Sequence, residues 1–88
     1  MSNLPDLTGM NRSRALTIAC QEAKEEALVA MNKWDCFHSV HEGYAVILEE
    51  LDELWSEAKA KEVDPVKLRT EAIHVAAMAL RFVAELTI

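Results

Sequence analysis

The sequence predicts an all-α domain, and three observations support that prediction. The 88 residues include only two glycines and two prolines, too few for the turns of a β-sandwich or β-barrel. Apolar residues recur at three- and four-residue steps over long stretches, the spacing of one helix face. Helix start signals separate these stretches. We expect one domain over residues 11–88, preceded by a flexible arm over residues 1–10.

The first helix is predicted from about Asn11 to Lys33, a stretch rich in Ala, Leu, Glu and Lys that lacks both Gly and Pro. Its apolar face is narrow and consists mostly of alanine. The helical pattern then breaks over residues 34–38, where we expect a loop.

The second helix begins with a capping signal at Ser39. Glu42 follows three residues later, so the hydroxyl can accept one free backbone N–H while the carboxylate reaches back to another. Apolar residues recur at helical spacing from Tyr44 to Ala58. We expect this helix to extend to about Lys61.

The third helix is predicted over residues 65–86. Asp64 can cap it, and Pro65 takes the first helical position, where a missing N–H costs nothing. We expect it to fold back antiparallel onto the second helix. Because most of its circumference is apolar, we also expect it to be buried twice, within the chain and against another copy. The predicted assembly is a homodimer or homotetramer of four-helix-bundle type.

The charge and the cysteines exclude several classes of partner and location. A formal net charge of −6 disfavours a nucleic-acid polymer and an acidic membrane surface. No uncharged run approaches the roughly 20 residues of a membrane span. The first residues lack the basic and apolar segments of a secretory signal, and Cys20 and Cys36 form no disulfide framework. We therefore expect a cytoplasmic protein.

Carboxylates concentrate in the second helix. Glu49, Glu50 and Glu53 form the pattern EExxE, in which Glu50 and Glu53 point the same way. Glu71 follows after a gap of seventeen residues, with His74 on the same stripe. In an antiparallel hairpin, these groups lie within about one helical turn of each other along the helix axis. The carboxylates can therefore converge on one Mg²⁺ or Mn²⁺ ion, and a solvated acidic face is the alternative.

The sequence EExxE, seventeen residues and then ExxH resembles the MazG-like all-α nucleoside triphosphate pyrophosphatases, whose signature ends in ExxD. The resemblance covers about residues 30–86. It implies an obligate helical dimer or tetramer that cleaves a nucleoside triphosphate between its α- and β-phosphates with Mg²⁺. The products are a nucleoside monophosphate and pyrophosphate, and the implied role is housecleaning of the nucleotide pool.

By position, the resemblance implies that Glu50, Glu53 and Glu71 bind the metal and that Glu49 is the first glutamate of the motif. Glu49 or Glu53 is expected to act in catalysis by orienting the attacking water. His74 stands where the family has an aspartate. Imidazole is a poor Mg²⁺ ligand and suits Mn, Fe or Zn better, so Mn²⁺ is favoured if His74 binds the metal. Otherwise His74 contacts the metal ligands without binding the metal itself, or the site binds metal weakly or no longer binds it.

Two regions offer candidate substrate contacts. Lys67 and Arg81 lie on the polar stripe of the third helix and can offset phosphate charge, unless they are ordinary surface charges. Trp34, Phe37 and His38 precede the second helix, where a nucleobase can stack on an aromatic ring. Aromatic residues at such a junction more often act as hydrophobic plugs.

Two other functions stay open. A dimer of the hairpin provides two glutamate-bearing helices and two copies of Glu71-x-x-His74. That is the ligand set of a di-iron or di-manganese carboxylate protein. The other alternative is a catalytically lapsed oligomerisation or nucleotide-binding module.

Overall fold

Three α-helices make up the secondary structure of residues 9–88, the part of the chain that the computed structural model describes. The helices are α1 (Gly9–Lys33), α2 (Val40–Ala58) and α3 (Pro65–Leu86). These residues contain no β-strand. The predicted all-α class is therefore confirmed for this range.

Two helix boundaries differ from the predictions. α1 begins at Gly9, so the last two residues of the predicted arm are helical, and the rest of that arm lies outside the described residues. α2 ends at Ala58 and not near Lys61. The backbone N–H of Lys59 donates to the carbonyl groups of both Trp55 and Glu57, which tightens the last turn and ends the helix.

Local hydrogen bonds fix where α2 and α3 begin. The Ser39 hydroxyl accepts the backbone N–H of Glu42 at 3.0 Å, as predicted. The Glu42 carboxylate accepts the backbone N–H of His38 at 3.1 Å, one residue before the position that the capping box predicts. At α3, Asp64 Oδ1 accepts the N–H of Val66 at 2.9 Å. These caps set the directions in which the two helices leave their turns.

The core lies where α3 packs against both α1 and α2. Its buried members are small residues of α1, a pair on α3 and one loop aromatic: Ala27, Ala30, Ala77, Met78 and Phe37. The alanine stripe of α1 lets the helix approach α3 closely. The core of the single chain is consequently small.

Gly43 allows α2 and α3 to approach each other near the C-terminal end of α3. A Cβ atom at this position would lie 2.7 Å from Cδ2 of Phe82 and 2.8 Å from Cδ1 of Leu86, both closer than van der Waals contact. Because Gly43 has no side chain, Phe82 and Leu86 can pack against α2 at this position.

A buried ion pair attaches the loop over residues 34–38 to α3. Arg81 is only 3% exposed, and its Nε donates to Glu85 Oε2 at 2.9 Å. Its Nη2 donates to the Asp35 carbonyl at 3.1 Å, and the guanidinium carbon lies 4.2 Å from the centre of the Phe37 ring. The other oxygen of Glu85 accepts the Phe37 backbone N–H at 2.7 Å. Hydrogen bonding to Arg81 lowers the pKa of Glu85.

Large apolar side chains are exposed on all three helices. The sequence predicts that α3 carries more apolar surface than one chain can bury, and Leu80 and Val83 of α3 are exposed. α2 exposes a larger set, which forms one stripe at spacings of four, three and four residues: Tyr44, Leu48, Leu51 and Trp55. We call these four residues the α2 stripe. Among the described residues, no helix is long and apolar enough to cross a membrane.

Candidate metal centre

The hairpin of α2 and α3 brings together all four residues that the sequence singled out as metal ligands. Glu50 and Glu53 come from α2, and Glu71 and His74 come from α3. One ligand atom of each lies within 4.8 Å of those of the other three. Residues of α2 and α3 that are eighteen or more positions apart in the sequence thus share one small volume.

Two of these carboxylates are partly removed from water. The side chains of Glu50 and Glu71 are 24% and 21% exposed, and Oε2 of each is buried without a hydrogen-bond partner among the described residues. An unpartnered buried oxygen of a charged group is costly. A bound cation would satisfy both oxygens at once, so the residues present fit a metal ion.

The pKa of Glu50 is raised above its usual value of 4.5. Burial is the largest cause because it disfavours the charged form, and the neighbouring carboxyl groups of Glu53 and Glu71 add to it. His74 acts in the opposite direction. A divalent cation at this position would remove the repulsion between the carboxylates.

His74 lies between acidic groups from all three helices. Its Nδ1 is 3.6 Å from Oε2 of both Glu50 and Glu71. Its Nε2 is 3.5 Å from Oε1 of Glu26, which α1 contributes. Glu26 was not among the predicted site residues. The available signal was that Glu22 and Glu26, four residues apart, flank the alanine stripe of α1 and so lie at the edge of the core.

The donor set is three carboxylates and an imidazole. The carboxylates alone suit Mg²⁺, which prefers oxygen ligands. The imidazole adds a nitrogen donor that suits Mn, Fe or Zn better than Mg. The donor set thus fits a divalent cation, and His74 supplies the one nitrogen donor of the four residues.

A cavity of about 590 Å³ adjoins this cluster. Glu50 and His74 line it on the side of the cluster, and the rest of the lining comes from α1, the loop, the first half of α2, and Met78 and Arg81 of α3. Its volume falls in the usual range for a small-molecule site, roughly 300–1,000 Å³. Glu49 lines the same cavity with an exposed side chain.

The three predicted aromatic contacts all line this cavity but differ in accessibility. Trp34 is 61% exposed, and the Nζ atom of Lys33 lies 5.3 Å from the centre of its ring. His38 Nδ1 lies 3.2 Å from the Glu42 carboxylate. Phe37 is buried against Arg81 and acts as a hydrophobic plug. The rings open to a ligand are therefore those of Trp34 and His38, and the His38 side chain is 75% exposed.

The two predicted phosphate-binding cations are not placed alike. Arg81 lines the cavity but is neither an exposed surface charge nor a free cation, since Glu85 and the Asp35 carbonyl occupy its guanidinium group. Lys67 lies in the exposed first turn of α3 and does not line this cavity. Lys33, which also lines the cavity, was not predicted from the sequence.

Comparisons with protein-family models, with curated proteins and with solved structures found no match to this chain.

Proposed function

We propose that this protein is a divalent-metal-dependent nucleoside triphosphate pyrophosphohydrolase. It would release pyrophosphate from a nucleoside triphosphate and leave the monophosphate, as a housecleaning enzyme of the cytoplasmic nucleotide pool. The observation that carries the proposal is the convergence of Glu50, Glu53, Glu71 and His74, with two unpartnered buried oxygens, beside a cavity of about 590 Å³. The MazG-like pattern of the sequence supports the same reaction.

In this proposal Glu50, Glu53 and Glu71 hold the cation, and His74 adds a fourth donor. Mg²⁺ suits the carboxylates, and Mn²⁺ is favoured where His74 also binds. A bound divalent cation neutralises phosphate charge and lowers the pKa of a coordinated water. Partial burial of Glu50 and Glu71 strengthens their attraction for the ion.

Glu49 is the residue that we assign to the attacking water. It adjoins Glu50 in the sequence, and its side chain is exposed along the cavity. A carboxylate there can orient a water molecule and accept its proton as the bond to phosphorus forms. Glu53, the most exposed member of the cluster, is the alternative.

The far side of the cavity suits the base and the remaining phosphate charge. The exposed ring of Trp34 offers a face for stacking a nucleobase, and His38 lies nearby in the same lining. Lys33 can offset phosphate charge in place of Arg81, whose guanidinium group is already paired.

Turnover tests this function directly. With Mg²⁺ or Mn²⁺, the purified protein should release pyrophosphate from at least one member of a panel of common and damaged nucleoside triphosphates. A chelator should abolish the release because the carboxylates cannot offset phosphate charge without the ion. Liquid chromatography of the products checks that the monophosphate forms in equal amount. Absence of turnover with every nucleotide and both metals would exclude the enzyme and favour the lapsed binding module.

We further propose that the protein works as a homo-oligomer joined through the α2 stripe. The α2 stripe is one exposed apolar row, whereas few large side chains are buried among the residues that the structure describes. Rows at this spacing pack against a second helix in bundles and coiled coils. Burial of such a row in an interface between copies removes a large apolar surface from water.

Leu51→Glu should convert the oligomer into monomers, because it places a charge in the middle of the α2 stripe. Val63→Glu is the matched control, since Val63 is also exposed but lies in the turn between α2 and α3. Light scattering coupled to size-exclusion chromatography measures the mass of each variant. A monomeric wild type, or an unchanged mass for Leu51→Glu, would contradict the proposed interface.

A second candidate function is a di-iron or di-manganese carboxylate protein. The observation that favours it is the imidazole of His74 lying 3.6 Å from two carboxylates, a mixed donor set that such metals accept. Metal content distinguishes the two functions. Iron or manganese retained through aerobic purification, without pyrophosphate release, would support the second candidate, and failure to load either metal would reject it.

A further inference from the structure

Carboxylate groups lie near both ring nitrogens of His74. Glu50 and Glu71 face Nδ1 at 3.6 Å, and Glu26 faces Nε2 at 3.5 Å. The first two belong to the proposed metal site. Glu26 lies on α1, outside that site, and no step of the proposed reaction uses it.

A neutral imidazole carries one N–H and one lone pair, and the hydrogen-bond partner of one nitrogen decides which nitrogen is left to bind a metal. If the proton resides on Nδ1, it points at Glu50 and Glu71, and the lone pair faces away from the cluster. If it resides on Nε2, it points at Glu26, and the Nδ1 lone pair faces the two unpartnered oxygens. The carboxylate of α1 therefore competes with those of α2 and α3 for the same proton.

We propose that Glu26 is a positioning residue that holds the proton on Nε2 of His74, so that Nδ1 serves as a metal ligand and the site prefers Mn²⁺ to Mg²⁺. This inference rests on the proposed metal site and adds to it the identity of the donor atom. A carboxylate behind a ligating histidine fixes the tautomer and the ring orientation and makes the ligand more basic. At 3.5 Å the contact is slightly long for a hydrogen bond, and it needs only a small side-chain movement to form one.

The metal preference follows from the donor type. Mg²⁺ is held by oxygen and gains little from an imidazole, whereas Mn²⁺ accepts nitrogen as well as oxygen donors. Loss of the correct tautomer should thus weaken Mn²⁺ binding more than Mg²⁺ binding. Loss of the Glu26 charge alone should weaken both metals by a similar factor, since both carry two positive charges.

The test is calorimetric titration of the metal-free full chain with Mn²⁺ and with Mg²⁺. Glu26→Ala should weaken Mn²⁺ binding by about 10- to 100-fold, with a smaller change for Mg²⁺. Glu26→Gln should restore most of the Mn²⁺ affinity, because its amide oxygen still accepts the Nε2 proton while the charge is gone. Glu25→Ala is the matched control, since Glu25 is the exposed neighbour on the same helix and contacts Gln21.

A second measurement reads the tautomer without any metal. Nitrogen-15 spectra of the imidazole, assigned with His74→Asn, should show a larger share of the proton on Nε2 in the wild type than in Glu26→Ala. Equal Mn²⁺ affinities of Glu26→Ala and the wild type, or equal weakening by Glu26→Ala and Glu26→Gln, would overturn the inference. If Glu50→Gln still weakens Mn²⁺ binding in those cases, the metal site stands and only the role of Glu26 fails. A wild type that binds neither metal would overturn both.

Discussion

Glu50→Gln and Glu71→Gln should each lower metal-dependent pyrophosphate release by at least about a hundredfold. Removal of one anionic ligand weakens binding of the cation. The cation stabilises the charge that develops in the transition state by several kcal/mol. Each loss of 1.36 kcal/mol in the barrier is tenfold in rate. Because glutamine keeps the shape of glutamate, the packing of α2 against α3 should persist.

Glu50→Gln should also leave the metal-free fold at least as stable as the wild type. Burial and the adjacent carboxyl groups raise the pKa of Glu50, so the charged form is unfavourable in the folded protein when no cation is bound. Thermal unfolding, with and without Mn²⁺, measures the stability of each variant relative to the wild type. Asp52→Asn, an exposed carboxylate on α2 outside the cluster, is the matched control and should keep its activity. Retained activity in Glu50→Gln or Glu71→Gln would remove those residues from the site.

Arg81→Ala should destabilise the fold by about 3–5 kcal/mol, the cost of breaking a buried ion pair. The substitution leaves Glu85 buried and charged without its partner, and it frees the Asp35 carbonyl that holds the loop to α3. Urea unfolding followed by circular dichroism measures the loss. Arg69→Ala is the matched control on the same helix, because its pair with Glu22 is 55% and 42% exposed. Such surface pairs contribute only about 0–1 kcal/mol.

Acid should diminish the difference between the wild type and Arg81→Ala. Hydrogen bonding to Arg81 lowers the pKa of Glu85 in the folded protein below its ordinary value of 4.5. This pair therefore stabilises the fold at pH values above 4.5. That contribution is lost as the pH falls through the lowered pKa. Equal losses for Arg81→Ala and Arg69→Ala at neutral pH would contradict the role of the buried pair. If Arg81→Ala does not fold, Glu85→Gln, which keeps a hydrogen-bond acceptor, provides the same comparison.

Features that depend on neighbouring residues in the sequence could be predicted. The caps at Ser39 and Asp64 form within one turn, and the spacing of Glu50 and Glu53 follows from helix geometry alone. The meeting of these glutamates with Glu71 required only that the short turn after α2 reverse the chain direction. That part of the candidate site was therefore available from the sequence.

Features that depend on distant parts of the chain could not be predicted. Arg81 looked like a solvated cation on a polar stripe because its partners at Asp35 and Phe37 come from a loop more than forty residues earlier. Glu26 reaches His74 only because α1 packs against α3, and helical periodicity does not specify that contact. A charged residue at the edge of an apolar stripe can face water or a neighbouring helix, and tertiary packing decides between them.

Anomalous X-ray diffraction from a crystal soaked in Mn²⁺ tests the central claim most directly. We expect one strong peak bounded by carboxylate oxygens of Glu50, Glu53 and Glu71, with Nδ1 of His74 completing the set. A cation would there satisfy the two oxygens that have no hydrogen-bond partner. A soaked crystal without a peak among these residues, with the ion bound elsewhere or not at all, would contradict the metal centre and the proposed reaction with it.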